Sequence, residues 1–143
     1  MTARERIGIE DARQVLETAR TIAVVGVNAN PEKPAHYVPD YMHQHGYRII
    51  PVNASMPGQT IFGEPVRSSL QEIAEPVDVV DMFRRAEHLE GHLADILAMN
   101  PRPKLVWLQL GIRNDAFAQK LLDAGIEVVQ DRCLLADHRK LGL

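Results

Sequence analysis

The segment that begins at Gly26 contains residue types that could hold a phosphate group. It runs Gly26, Val27, Asn28, Ala29 and then, after Asn30, Pro31 and Glu32, reaches Lys33 and Pro34. A glycine lets the backbone approach an anion closely, the two asparagines bring amides, and Lys33 adds one ammonium group just before a predicted helix. The pattern is typical of a nucleotide-binding turn, and an ordinary loop between a strand and a helix is the alternative.

This turn lacks the two common nucleotide fingerprints. A dinucleotide site needs Gly-x-Gly-x-x-Gly, but Asn28 and Pro31 stand where the second and third glycines would be. The second predicted strand ends in Asn53, where an NAD enzyme often carries an acid for the ribose 2′-hydroxyl. Gly-x-x-x-x-Gly-Lys-Ser/Thr does not occur in the chain. Conventional NAD binding and a P-loop are therefore disfavoured.

A second candidate for phosphate binding is the run Phe83, Arg84 and Arg85, which follows another apolar segment. Adjacent arginines are usually solvated surface charge. Ligands of doubly wound sheets, however, bind beyond the carboxyl ends of the strands, where this run is expected. There the two guanidinium groups could meet phosphates, and the aromatic ring could cover an adenine.

The elements that would position these residues alternate between strands and helices. Consecutive apolar residues, rather than alternate ones, indicate parallel strands that are covered on both faces. The sequence predicts an α/β fold, a Rossmann-like doubly wound parallel sheet with helices on both faces. The predicted strands are 21–27, 47–53, 61–63, 77–83, 104–110 and 127–129; the predicted helices are 9–19, one from about 35 to Gly46, 69–73, 87–99 and one capped by Asn114 that ends before Gly125.

Helix 35–46 contains Pro39, which lacks a backbone N–H. We expect the helix to tolerate it only because a start near Ala35 places that position among the first four, whose N–H groups have no partner within the helix.

Length and composition set the class of protein. At 143 residues we expect a single domain, 1–143, with a core from about 9 to 141. The net charge of −3 gives no general attraction to nucleic acid, and the longest apolar stretch, 22–27, is too short to span a membrane. The single cysteine, Cys133, excludes an intrachain disulfide and fits a cytoplasmic location.

Other chemically active residues are interpreted mainly as structural. His88, His92 and Asp95 could share a helix face and hold a metal, but the opposite apolar stripe suggests that the histidines face water, and we predict no metal site. Cys133 is more typical of a small buried residue than of a reactive thiol, although a mixed disulfide with a thiol ligand is feasible. No Gly-x-Ser-x-Gly motif occurs, so no catalytic residue is assigned.

Four further residues are of interest. His36, near Lys33 in the sequence, could touch a phosphate, and Gln109, Gly111 and Asn114 lie at the far end of the fifth predicted strand. The last three could approach a ligand, or they could only shape the turn and cap the next helix. Trp107, with apolar neighbours on its strand, is expected in the core.

Six motifs in order resemble the small single-domain CoA-binding proteins, which are similar to the CoA-binding domain of the succinyl-CoA synthetase α subunit. The motifs are IAVVGVN (22–28), PEKPAHYV (31–38), GYRIIPVN (46–53), VDVVDMFRR (77–85), WLQLGIRN (107–114) and DRC (131–133). Together they cover nearly the whole chain.

The resemblance implies a coenzyme A site made of twelve residues. Gly26, Val27, Asn28 and Ala29 would contact the phosphates, and Lys33 and Pro34 would close that loop. Val52 and Asn53 would lie beside the adenosine, with Met82, Phe83 and Arg84 on the opposite wall and Arg85 adding charge. A 3′-phosphate also explains why an acid at position 53 would be unfavourable.

Three hypotheses follow. The first is a non-catalytic protein that binds CoA or acyl-CoA as a small-molecule ligand at the carboxyl edge of the sheet; the sequence does not identify a protein partner. The second is one subunit of an acyl-CoA synthetase, which would need a separate chain for the phosphorylated histidine and the ATP site. The third is a site for NAD(P) or another adenine nucleotide, since folds of this class bind many ligands.

Overall fold

The centre of the molecule is a parallel sheet, seen in a computed structural model that describes residues 9–143. Five strands pair in the order β2-β1-β5-β6-β7, and β3 and β4 form a separate antiparallel hairpin. The strands are β1 (Thr21–Val25), β2 (Arg48–Val52), β3 (Thr60–Ile61), β4 (Glu64–Pro65), β5 (Val79–Met82), β6 (Leu105–Leu108) and β7 (Glu127–Val129). After β1 the chain forms β2 on one side of it and later β5 on the other side. The loops that follow β1 and β5 therefore lie next to each other at the carboxyl edge of the sheet.

Helices connect successive strands and cover the sheet. Among residues 9–143 they are α1 (Ile9–Thr18), α2 (Pro34–Gln44), α3 (Leu93–Ala98), α4 (Asp115–Asp123) and α5 (Leu134–Leu141), with 3-10 helices at Leu70–Glu72 and Ala86–His92. Among the helices described, none has the length and apolar character needed to cross a membrane.

Both faces of the sheet are packed. Side chains alternate along each strand, so Val24 of β1 and Trp107 of β6 point to the face covered by α1, α2 and α5, while Val25 and Leu108 point to α3 and α4. Trp107 is fully buried and its indole Nε1–H donates to the carbonyl of Arg132 at 2.8 Å. The predicted α/β class, with helices on both faces, is confirmed, as is the core position of Trp107.

Several predicted elements have different bounds or a different role. Predicted strand 61–63 is confirmed only at Ile61, the end of β3, because residues 62 and 63 form the turn of the β3–β4 hairpin, with φ of 55° and 75°. Predicted helix 87–99 divides into the 3-10 helix Ala86–His92 and α3. Helix α5 is absent from the predicted elements, and its N-cap residue, Cys133, provides no side-chain cap. Asn114 does cap α4, accepting from Phe117 N–H at 3.0 Å.

Pro39 occupies α2 for a different reason from the one predicted. The helix begins at Pro34, so Pro39 is its sixth residue and lies beyond the first four. Its missing N–H leaves the carbonyl of Ala35 without a helical donor, and the backbone N–H of Asn28 donates to that carbonyl at 3.2 Å. The proline therefore ties the loop after β1 to the first turn of α2.

Candidate functional site

The ends of β1 and β5 approach each other closely at Gly26. Its φ is +89°, and a Cβ placed there would lie 2.3 Å from the carbonyl oxygen of Phe83. The residue is fixed between neighbouring strands, since its N–H donates to Val52 O at 2.8 Å while Phe83 N–H donates to Val25 O at 2.8 Å. Gly26 is therefore required by the packing of the two loops as well as by its positive φ.

The loop after Gly26 is held by its own asparagines. The side-chain oxygen of Asn28 accepts from Asn30 N–H at 2.8 Å, and that of Asn30 accepts from Glu32 N–H at 3.0 Å. With Asn28 N–H already bound to α2, the N–H groups of both asparagines are used inside the loop. These hydrogen bonds preform the turn, and contact between the asparagine amides and a phosphate stays a prediction.

The N-terminus of α2, the positive end of the helix dipole, lies beside this loop. Lys33 is the N-cap residue and Pro34 the first helical residue, so the helix dipole and an exposed ammonium group lie together. His36, predicted to be able to touch a phosphate, instead places Nδ1 2.8 Å from the carbonyl of Asn28 and packs against Phe62. It braces the loop.

A cleft of about 720 Å³, called here the larger cleft, opens beyond β1, β5 and β6. Seven predicted site residues line it: Gly26, Asn28, Lys33, Pro34, Phe83, Arg84 and Arg85. The other wall is apolar in its outer part and comes from α2, from the loop after β6 and from the start of α5, with Tyr37, Leu110, Ile112 and Cys133.

A second cleft of about 260 Å³, called here the smaller cleft, lies beside it over the ends of β1 and β2. Val52 and Asn53 line this cleft together with Ser55, Ser68, Ser69 and His92. Gly26 and Arg84 line both clefts, so the two spaces meet at these residues. The predicted site is thus brought together as two adjoining clefts rather than one.

The side chains of three predicted site residues do not line either cleft. Val27 and Met82 are fully buried on opposite faces of the sheet, so they support the site through packing, and the proposed wall contact of Met82 needs correction. Ala29 is exposed but lies outside both linings. Asn53 lines the smaller cleft, yet its amide also bridges the strand ends, donating to Val27 O and accepting from Ser55 N–H, both at 2.8 Å.

The cations of the larger cleft are available to a ligand. Within residues 9–143, Lys33, Arg84 and Arg85 form no ion pair, whereas Arg48, Arg67 and other surface cations do. All three are exposed. An anion bound here would therefore not have to displace a carboxylate.

A buried polar pair lies under the larger cleft. Asp81 of β5 is fully buried, and its Oδ1 accepts from Gln109 Nε2 at 2.6 Å, while Oδ2 has no partner among the described residues. Burial raises the pKa of Asp81 to about 7, with the hydrogen bond from Gln109 opposing that effect. Gln109 also accepts from Leu134 N–H at 3.4 Å, so its amide positions the cleft wall.

Two other candidates take up intermediate positions. Cys133, expected to be buried, is partly exposed and lines the larger cleft as the N-cap residue of α5. His92, expected to face water, is partly buried in the smaller cleft with Asp95, and burial lowers its pKa. The described residues hold no group of three or more potential metal ligands.

Some residues of the site are not predictable from the sequence, because pairing between distant segments brings them there. Ser68 and Ser69 reach the smaller cleft because Arg67 pairs with β2, its N–H donating to Pro51 O at 2.9 Å. No short-range pattern signals that contact. Leu110 could have been found, since it lies two residues after β6 at the same sheet edge as Arg84.

Comparison with known proteins agrees with this geometry. A sequence profile for the family described as CoA binding domain matches residues 20–139. A curated relative, the uncharacterized protein YneT of Bacillus subtilis, is 34% identical over 128 residues, which is 90% of this chain and 92% of that protein. A solved structure from Thermus thermophilus is 46% identical, with a TM-score of 0.90 over 94% of this chain and 99% of that one.

A more distant likeness shows the fold alone. An acetyl-coenzyme A synthetase from Candidatus Korarchaeum cryptofilum, solved with phosphate and ADP, is 16% identical with a TM-score of 0.66. The likeness covers 82% of this chain and 26% of that chain. The profile match and the relatives of high coverage, in contrast, extend across both clefts and all five strands of the sheet, and on these grounds the chain belongs to the CoA binding domain family.

Proposed function

We propose that this protein binds coenzyme A, or an acyl-CoA, along the carboxyl edge of its parallel sheet. The adenosine end would occupy the smaller cleft beside Val52 and Asn53, and the pyrophosphate would cross Gly26. The pantetheine arm would extend into the larger cleft toward Cys133. Membership in the CoA binding domain family supports the choice of ligand.

The observation that carries this proposal is the order of the two clefts along the sheet edge. CoA is a linear molecule whose polar, phosphorylated half and less polar pantetheine half are joined by the pyrophosphate. The clefts have the same order, since they meet at Gly26 and Arg84, between β1 and β5. The smaller cleft continues toward β2, and the larger one continues toward β6 and the start of α5. One extended ligand can therefore contact both.

The charges fit the phosphates of CoA. Arg84 lines both clefts, so it can meet the pyrophosphate or the 3′-phosphate without leaving its wall. Lys33 stands at the positive end of α2, on the other side of Gly26. Asn53, with its amide bound to both strand ends, adds no negative charge near a phosphorylated ribose.

In this proposal, the chain binds its ligand and does not catalyse a reaction by itself. The lining of the larger cleft combines three cations, the carboxylate of Glu87, amides, apolar groups and one thiol, and its excess of positive charge suits an anion with a long neutral arm. Gln109 is engaged with Asp81 and Leu134, so it acts on the wall of the cleft rather than on a ligand.

The test is calorimetric titration of ligand-free protein with CoA, followed by dephospho-CoA, NAD, NADP and ATP as competitors. We expect CoA to bind with micromolar or lower Kd and dephospho-CoA to bind more weakly, because the latter lacks the 3′-phosphate. Binding of NADP without CoA would show that the sheet is kept while the ligand has changed. Absence of binding by every member of the panel would contradict the proposal.

A further inference from the structure

The larger cleft exposes apolar side chains at its outer end. Among the described residues, only two large hydrophobic side chains are substantially exposed, Leu110 at 70% and Tyr37 at 45%. Both line the larger cleft, Tyr37 from α2 and Leu110 from the loop after β6. Single exposed leucines are common, but two such residues facing one cleft form an apolar patch that a ligand could cover.

The backbone holds Leu110 outward. Ile112 N–H donates to Gln109 O at 2.9 Å, and Gly111 has φ of +86°, so Leu110 is at the second position of a tight turn. Asp131 fixes this turn, since its carboxylate accepts from Gly111 N–H at 2.7 Å and its own N–H donates to Ile112 O at 3.1 Å. Leu110 therefore stays exposed through a fixed backbone and cannot relax into the core.

Charge is distributed unevenly along the same cleft. The free cations Lys33, Arg84 and Arg85 line it, and so does the carboxylate of Glu87. Beside the turn at Leu110 the charged groups already have partners: the carboxylate of Asp131 accepts from Gly111 N–H, Arg113 pairs with Asp115 at 3.4 Å, and Arg132 is bound to Asp137 at 2.6 and 3.0 Å. The outer end thus favours a neutral apolar group over an anionic one.

From these observations we propose that the outer end of the larger cleft, between Tyr37 and Leu110, binds the hydrocarbon acyl group of an acyl-CoA, so that uncharged aliphatic thioesters are preferred over free CoA and over dicarboxylic thioesters. This inference rests on the proposed function, because the acyl group reaches Leu110 only if the pantetheine arm follows the larger cleft. Leu110 is then a specificity residue.

The experiment titrates the full chain with CoA, acetyl-CoA, butyryl-CoA, hexanoyl-CoA and succinyl-CoA. We expect Kd to fall about two- to fourfold for each added methylene that is buried, so that hexanoyl-CoA binds at least about tenfold more tightly than CoA. Succinyl-CoA has the same number of acyl carbons as butyryl-CoA and is expected to bind at least about tenfold more weakly than it, since its carboxylate would lie beside Asp131.

The variants Leu110→Ser and Tyr37→Ser are measured in the same way, with the ratio of the Kd values for CoA and hexanoyl-CoA as the readout. We expect that ratio to fall severalfold in each. Leu143→Ser is the matched control, because Leu143 packs at the other end of α5 and lies outside the cleft lining; its ratio is expected to equal that of the wild type.

The outcomes separate the two proposals. If CoA binds but Kd does not change with acyl length, the acyl inference is overturned while the proposed function stands. If neither CoA nor any thioester binds, both are overturned. If sedimentation shows a dimer that Leu110→Ser dissociates, with no change in the acyl ratio, the patch belongs to an interface with a second copy and the inference is wrong.

Discussion

Two regions of this molecule use arginine in opposite ways. At the amino edge of the sheet, Arg48 at the start of β2 pairs with Glu64 at 2.9 Å and with Glu75 at 2.8 Å, and Glu64 is also reached by the side chain of Arg67 at 3.0 Å. At the carboxyl edge, in contrast, the exposed Arg84 has no ion-pair partner among residues 9–143. The first region satisfies its charges within the fold, and the second leaves its charge for a ligand.

The carboxylates of the two regions also differ, because one has cationic partners and the other has none. Hydrogen bonds from Arg48, and more weakly from Arg67, lower the pKa of Glu64. Burial without a cation raises the pKa of Asp81 to about 7. A paired surface carboxylate adds a little stability at neutral pH, whereas an unpaired buried one reduces it. At neutral pH, the buried Asp81 carboxylate therefore reduces the stability of the fold beneath the proposed binding site.

The largest expected effect comes from the glycine that joins the two clefts. Gly26→Ala should lower the free energy of unfolding by about 3 kcal/mol or more, because the new Cβ would lie 2.3 Å from the carbonyl oxygen of Phe83 at a φ of +89°. Gly46→Ala is the matched control at the amino edge, since its φ is +96° but a Cβ there meets nothing within 4 Å.

Chemical denaturation of both variants separates the cost of backbone strain at a positive φ from the cost of the steric clash with Phe83. We expect Gly46→Ala to cost about 1 kcal/mol, as backbone strain alone would, while Gly26→Ala also weakens CoA binding in calorimetry. Equal losses of stability in the two variants would show that the close approach to Phe83 is unimportant.

The next effect concerns Asp81 and pH. Its pKa is raised in the folded state, so its charge destabilises the protein as pH rises from the unfolded value of 3.8 toward about 7, and the full penalty applies above that. Asp81→Asn removes the charge. The stability advantage of the variant over the wild type should grow by about 2–3 kcal/mol between pH 5 and pH 8.

Denaturation at both pH values tests this, with the difference between the two proteins as the readout. His92 and His138 also have lowered pKa values, through burial, but they titrate in both proteins and cancel in the difference. A difference that stays constant from pH 5 to pH 8 would mean that Asp81 keeps an ordinary pKa.

Much of the sheet could be predicted from the sequence because it depends on local patterns. The apolar runs of β1, β2 and β5 identify buried parallel strands, and β7 has the predicted bounds of 127–129. The missed helix α5 starts without a side-chain cap, and Asp137 and His138, polar residues that obscure its apolar stripe, are buried in it. Asp137 is buried because it pairs with Arg132, a contact between charged side chains that hydropathy does not reveal.

The site was predicted less completely, for a physical reason. Residues directly after strands, such as Lys33 and Arg84, follow from the rule that parallel strands present their carboxyl ends at one edge. Whether an amide at that edge remains free depends on contacts elsewhere. Asn28 N–H is used because Pro39, eleven residues later, leaves the carbonyl of Ala35 open. That dependence needs three-dimensional structure.

A direct test of the contrast compares one arginine from each region. Arg84→Ala should weaken CoA binding by about 1–3 kcal/mol, the range for a lost charged hydrogen bond, with little change in Tm. A larger loss for CoA than for dephospho-CoA would assign Arg84 to the 3′-phosphate, and equal losses would assign it to the pyrophosphate. Arg48→Ala is the control, expected to change Tm slightly and CoA affinity not at all. The same loss of affinity in both variants would remove the distinction between the regions.

The smallest expected effect comes from removing the charge of Glu64 in the ion pairs at the amino edge. Glu64→Gln should lower stability at pH 7 by less than about 1 kcal/mol, because Arg48 keeps Glu75 as a partner and the pairs are exposed to screening by salt. The pKa of Glu64 is lowered in the folded state, so its contribution is present at neutral pH and is lost as pH falls through that lowered value. Denaturation of the variant and the wild type should therefore give nearly equal stabilities at acidic pH and in high salt. A loss above about 2 kcal/mol at pH 7 would mean that the network is essential to the fold, because exposed pairs of this kind do not contribute that much.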